Sequence, residues 1–169
     1  SFDVVKKIRS MLKKKYQISK IKVGHSGTLD PLASGLLVVC TGKQTKKLNN
    51  IQSLKKKYYA TIKLGFSTES FDRETVEKTI DNDIKISRHQ ILNLSKVFLG
   101  ELKQIPPKYS AIKINGIRAY EKIRNNEQFN ISSRKIFIYS FEIKKIQLPY
   151  VEFEIICSKG TYIRSIAHD

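Results

Sequence analysis

The sequence predicts an α+β fold: a mixed, mainly antiparallel central sheet with flanking helices. Three observations carry that expectation. Strand-like runs arrive in groups rather than alternating strictly with helices, and the longest fall near Lys135 to Ile146 and Val151 to Ser158. The stretch KKKYYATIKLG alternates Tyr58, Ala60, Ile62 and Leu64 with Tyr59, Thr61 and Lys63, which is the period of a strand with one wet face. The chain's 169 residues, 40% of them hydrophobic, suit one domain with a real core.

The elements follow in order. Ser1 is placed to cap a helix whose apolar positions Val4, Val5, Ile8, Met11 and Leu12 share a face. Lys13 to Lys15 give its last turn the positive charge that the helix dipole favours. A short strand over Ile21 to Val23, a glycine-rich loop and a strand from Leu36 to Thr41 come next, then a helix from Gln44 to Leu54 with Leu48 and Ile51 inward. Beyond the tyrosine strand, residues 67 to 86 are polar and poorly periodic, which predicts a loop excursion. Ser87 caps a further helix with the stripe Ile91, Leu94, Val97 and Phe98, and Gly100 stops it. The segment IPPKYSAIKINGIRAY starts extended at Pro106 and Pro107 and turns at Asn115-Gly116, the strongest hairpin signal in the chain. A short helix near Ala119 to Asn125 precedes the two long strands, which join through a turn around Pro149. TYIRSIAHD begins a last helix after Gly160.

Charge narrows the range of partners. Lys and Arg number 32 against 15 Asp and Glu, a net charge of +17. That excess favours a polyanion, because neutralised phosphates release counterions, although lysine-rich chains also use such charge for solubility. Cys40 and Cys157 lie in apolar strand-like runs at a spacing that fits no zinc site, so reduced, buried thiols in a cytoplasmic protein are expected. No apolar stretch reaches the length of a membrane span, and no signal peptide is visible. The chain opens at Ser1 without a methionine and stops at Asp169 inside a helical pattern, so both ends are expected to be truncated.

Chemistry concentrates in GHSGTLDPLASG, Gly24 to Gly35. Asp30 before Pro31 reads as a turn former or a cap. Flanked by glycines that admit a bulky ligand, it has a second reading as a carboxylate nucleophile. His25 either hydrogen-bonds the loop or touches substrate; with His89 and His168 distant in sequence, no metal site is expected. CTGKQT is not a phosphate-binding loop, since Leu37 stands where the first glycine belongs and Gln44 replaces Ser or Thr. Tyr58 and Tyr59 follow three lysines, a pattern suited to stacking bases, and alternation sends them to opposite faces. Arg164 in SKGTYIR offers a planar fork for a carboxylate, or is an exposed helix arginine.

These segments together resemble one family. KVGHSGTLDPLASGLLVVCTGKQTK is similar to the signature of the TruB family of tRNA pseudouridine synthases, which isomerise uridine-55 in the T loop. KKYYATIKLGFSTESFD, QIPPKYSAIKINGIRAY, SSRKIFIYSFEI and CSKGTYIRSIAHD continue the likeness in the same order over most of the chain, and the bacterial stand-alone type fits best. The resemblance implies the pseudouridine synthase fold and a catalytic role for Asp30, Tyr58 and Arg164: the carboxylate acts, the tyrosine stacks on the target uracil, and the arginine pairs with the carboxylate. It makes His25 the residue at the vacated stack, and sets Gly24, Gly27, Thr28, Lys57, Lys159 and Tyr162 among the RNA-binding positions. It further implies base flipping, no cofactor, no metal, a tRNA T stem-loop as partner, no membrane, and a monomer.

The family's usual opening strand with its Lys-Pro motif is missing, as is everything after the Arg164 helix. Residues 1–169 are therefore expected to be a catalytic domain cut at both ends and lacking a small C-terminal RNA-binding appendage. Two rival readings stand beside the enzyme: an RNA-binding module that no longer catalyses, and a synthase acting on another RNA.

Overall fold

The computed structural model describes residues 1–169, which group into two compact units, Ser1–Leu54 and Lys55–Asp169.

In the first unit, helix α1 (Phe2–Tyr16) ends at Gln17 in the left-handed conformation, with Lys13, Lys14 and Lys15 in its last turn. Its inward face is narrower than the sequence implies. Val5 is buried, Ile8 and Leu12 are half-buried, and Val4 and Met11 point outward. Ser1 occupies the cap position, yet its hydroxyl does not cap the helix; it accepts from the Leu29 N–H at 3.0 Å. Strands β1 (Val23–His25) and β2 (Val39–Thr41) pair antiparallel, with Gly24 opposite Cys40. β2 is shorter than expected, and β1 keeps the expected length but lies two residues later, running into the glycine loop through His25. Arg9 Nη2 ties α1 to the Val23 carbonyl at 3.2 Å. The helix expected over Gln44 to Leu54 divides into a 3-10 helix, Gly42–Lys47, and α2 (Leu48–Ser53).

The second unit is an antiparallel four-stranded sheet. It contains β3 (Lys56–Lys63), β6 (Gly100–Gln104), β9 (Arg134–Gln147) and β10 (Tyr150–Cys157), in the order β3-β10-β9-β6. The polar stretch 67 to 86 is a loop excursion pinned by two short strands, β4 (Phe66–Ser67) and β5 (Lys78–Thr79). Helix α3 (Arg88–Val97) has the expected Ser87 cap, in which Ser87 and Gln90 hydrogen-bond reciprocally to each other's backbone N–H. The Asn115-Gly116 hairpin forms between β7 (Lys113–Ile114) and β8 (Ile117–Arg118), both turn residues at positive φ. Helices α4 (Ala119–Arg124) and α5 (Ile163–His168) complete the order. Every strand pairing is antiparallel.

The core lies on one face of this sheet. Ile136, Ile138, Phe153, Ile155, Cys157 and Ile166 are buried together, and Tyr58, Ala60 and Ile62 pack against them. Strand β6 escaped the sequence reading because Gln104, an inward position, is polar. Half of the α3 stripe is not buried: Leu94 and Val97 are exposed, and Leu94 borders an apolar groove of about 270 Å³ with Ile62, Phe141 and Ile166. Cys157 is buried and Cys40 half-buried, and both are free thiols. Burial pushes the Cys157 thiol up from its ordinary range. No helix is long and apolar enough to cross a membrane.

The opposite face is polar. Lys57 Nζ lies 2.9 Å from Glu154 Oε1, and this ammonium, helped by the Tyr59 hydroxyl, holds the Glu154 carboxyl below its usual range. A depressed folded value means that the ion pair stabilises above the ordinary carboxylate range and is lost as pH falls through the depressed value. Glu154→Gln is therefore expected to lower the urea midpoint at neutral pH and to match the parent in strong acid. Urea titrations at both pH values check this.

Gly65 begins the excursion at φ +77°, and its carbonyl accepts from the N–H groups of Ile80 and Asp81. A Cβ there would collide with the Asp81 carbonyl oxygen as well as forcing a left-handed backbone on an L side chain. Gly65→Ala is expected to destabilise by about 3 kcal/mol, measured by urea unfolding.

Candidate functional site

Within the first unit, the loop leaving β1 is ordered by its own hydrogen bonds. Ser26 N–H extends the ladder to the Val38 carbonyl at 3.0 Å. His25 Nδ1 donates to the Gly27 carbonyl at 2.6 Å, which puts the ring proton on Nδ1 and leaves Nε2 as the other polar atom. Asp30 lies on the surface, and its carbonyl accepts from Ala33 N–H at 3.0 Å. The turn reading of Asp30-Pro31 therefore describes the backbone, while the carboxylate sits where solvent or a ligand can reach it. Thr28 is also exposed. The two expected glycine contacts differ in origin. A Cβ on Gly24 would come within 2.8 Å of Leu48 Cδ1, so packing against α2 accounts for that glycine. A Cβ on Gly27 would meet nothing within 4 Å, so the backbone there faces open space.

Within the second unit, strand alternation separates the expected residues. Tyr58 turns toward the core face with Ala60 and Ile62, whereas Tyr59 is 72% exposed on the other face. Lys57 goes with Tyr59 and is engaged by Glu154, so the strand does not bring Lys57 and Tyr58 together. Lys159 is exposed in the turn after β10, where Gly160 takes φ +86°. Tyr162 is half-buried and serves through its backbone. Its N–H donates to Gln104 Oε1 at 2.8 Å and its carbonyl accepts from Gln104 Nε2 at 3.0 Å. The Tyr162 ring also lies 5.6 Å from the Arg134 guanidinium.

Arg164 is the most constrained of these side chains. The turn of α5 that carries it is anchored by the Gln104 amide, by Ser165 Oγ donating to the Ile105 carbonyl at 2.8 Å, and by the buried Ile166. Its Nη1 donates to the carbonyls of Ser70 and Tyr109, each at 3.1 Å, and lies 3.4 Å from Asp72 Oδ2. The two side chains are 11% and 19% exposed, so screening by water is modest.

Asp72 is a site residue that the sequence reading missed, together with the serine and threonines that aim it. Its Oδ1 accepts from Ser70 Oγ at 2.6 Å and from Glu74 N–H at 2.9 Å, and its carbonyl accepts from Thr68 Oγ1 at 2.6 Å. Ser70 is fully buried and its N–H donates to Thr75 Oγ1 at 3.0 Å. The density of Ser, Thr and Asp in TESFDRET was the available signal, because these side chains compete for nearby backbone groups. Nearby, the Tyr109 hydroxyl donates to Glu69 Oε2 at 3.3 Å, and burial first, then the Glu69 charge, pushes that phenol up. No three His, Cys, Asp or Glu side chains gather as a metal site would need.

The arrangement can hold a fixed guanidinium at the edge of a core that includes an aromatic ring, which suits recognition of a planar, polar ring system. Comparison with known proteins adds a family. Residues 9–163 match the TruB family pseudouridylate synthase N-terminal domain. A tRNA pseudouridine synthase B of Parabacteroides distasonis is 44% identical over 169 residues, covering 100% of this chain and 72% of the relative. The protein of the same name from Flavobacterium johnsoniae is 47% identical over 171 residues, covering 100% of this chain and 74% of the relative. Among solved structures, a Cbf5-Nop10-Gar1 complex aligns with a TM-score of 0.64 at 28% identity, covering 95% of this chain and 38% of that one.

Removing the Asp72 carboxylate takes an anionic acceptor from a largely buried guanidinium and unties Ser70. Asp72→Ala is expected to cost about 3 kcal/mol of stability, read from urea unfolding.

Proposed function

The chain belongs to the TruB family of pseudouridylate synthases, a family of isomerases, and on that footing we propose that it converts the T-loop uridine-55 of tRNA to pseudouridine. The observation that carries this reading is identity of 44% and 47% to two tRNA pseudouridine synthases B over the whole of this chain. The chain spans about three quarters of those relatives, so the activity is assigned to the full-length protein.

The reaction breaks the bond between uracil N1 and ribose C1′, turns the uracil, and joins C5 to C1′. The C5 hydrogen leaves as a proton and N1 gains one, so nothing is oxidised. The uridine must first leave its stack, at a cost of roughly a few kcal/mol. Stacking of the everted base on Tyr58 offsets that by about 1–3 kcal/mol. Asp30 supplies the carboxylate that the cleavage needs, and its exposed position in a glycine loop fits that work. Arg164, held by two carbonyls and by Asp72, presents a positive charge that cannot swing away as negative charge develops. His25, Gly27, Thr28 and Lys159 contact the RNA around the target. The net charge of +17 speeds encounter with the phosphate backbone.

A T stem-loop RNA tritiated at uridine C5 tests the proposal. The full-length protein is expected to release tritium, whereas Asp30→Asn releases none and still binds the RNA within a few-fold. Full turnover by Asp30→Asn would remove Asp30 from the mechanism. Binding without release by the parent protein would leave an RNA-binding module.

A further inference from the structure

Helix α5 grips one loop with two side chains. Arg164 and His168 stand four residues apart and so share a face of the helix. Arg164 holds the Ser70 carbonyl and the Asp72 carboxylate. His168 lies flat on the Phe71 ring, with centroids 3.9 Å apart and 10° between the planes. The residues held are consecutive in the chain: Ser70, Phe71, Asp72.

The middle one is strained. Phe71 has φ 60°, a conformation that bulky L side chains rarely adopt and keep only where their surroundings impose it. On one side, the Ser70 N–H and hydroxyl are tied to Thr75; on the other, the Asp72 carbonyl accepts from Thr68. The reversal at Phe71 turns the Ser70 carbonyl and Asp72 Oδ2 toward the same guanidinium nitrogen. The histidine is a suitable seat for the phenyl ring, since it offers a flat face for stacking from an exposed position at the helix end.

We propose that His168 is a positioning residue: by seating Phe71 it holds the 68–75 loop in the form in which Asp72 meets Arg164, and so fixes the direction of that guanidinium for the reaction. The proposal rests on the function assigned above for its kinetic consequence and on the ring stack for its structural one.

The test uses the full-length protein and the C5-tritiated T stem-loop. His168→Ala is expected to lower the release rate at saturating RNA about tenfold, with KM within about twofold. His168→Phe, which keeps a flat ring, restores the rate. Amide exchange at Ser70 and Glu74 is expected to quicken about tenfold in His168→Ala and to return to the parent rate in His168→Phe. Parent-like turnover by His168→Ala, a His168→Phe variant as slow as His168→Ala, or unchanged exchange at those two amides would each overturn the proposal. A parent protein that releases no tritium counts against the assigned function instead, and the exchange rates then decide the role of His168.

Discussion

A guanidinium nine-tenths withdrawn from water must find acceptors, and the second unit is organised around meeting that demand. Arg164 collects two main-chain carbonyls and one carboxylate, drawn from separate stretches of chain. Each partner is in turn fixed by something else. Asp72 is held by Ser70 and Glu74, Ser70 by Thr75, and the helix bearing Arg164 by the Gln104 amide and the Ser165 hydroxyl. An ion pair this sheltered contributes little net stability unless such second partners complete it. Here they do, and the result is a cation whose direction is set before any ligand arrives.

Much of the fold was legible in the residues, and the illegible parts share a cause. Ser87, Asn115-Gly116 and the alternation through Tyr58 and Tyr59 are local signals, and each describes what forms. Strand β6 was hidden by Gln104, a polar residue turned inward to serve the backbone of Tyr162, a partner 58 residues away. Asp72 was hidden likewise, because its partner Arg164 lies far along the chain and its neighbours look like ordinary loop composition. The glycine loop divides in the same way. Its open character is visible at Gly27, whereas Gly24 is explained only once Leu48 is seen beside it.

The sheet's polar face qualifies what a large positive total implies. Lys57 and Lys144 both reach Glu154, Lys144 also meets Glu142, and Lys135 meets Glu101. The lysines of this face are thus interleaved with glutamates across neighbouring strands, as cross-strand pairing favours. Its aromatic members take cations too: Lys55 sits 3.9 Å from the Tyr139 ring centre, and Phe137 packs on Tyr139 at 4.7 Å. Total charge governs long-range attraction, while the local field over this face is set by these near-neutral groupings.

The spacing of Arg164 from its acceptors has a consequence for synthesis. Ser70 and Tyr109 precede it by 94 and 55 residues. A nascent chain therefore emerges from the ribosome with the Thr68–Thr75 turn and the Pro106–Ser110 stretch already translated but without the cation that joins them. The residues of β9 and β10 are also translated before α5, so the arginine is added after the parts it joins. A polypeptide that stopped just before Arg164 would retain most of the apolar interior and lose the tie that orients its polar cluster.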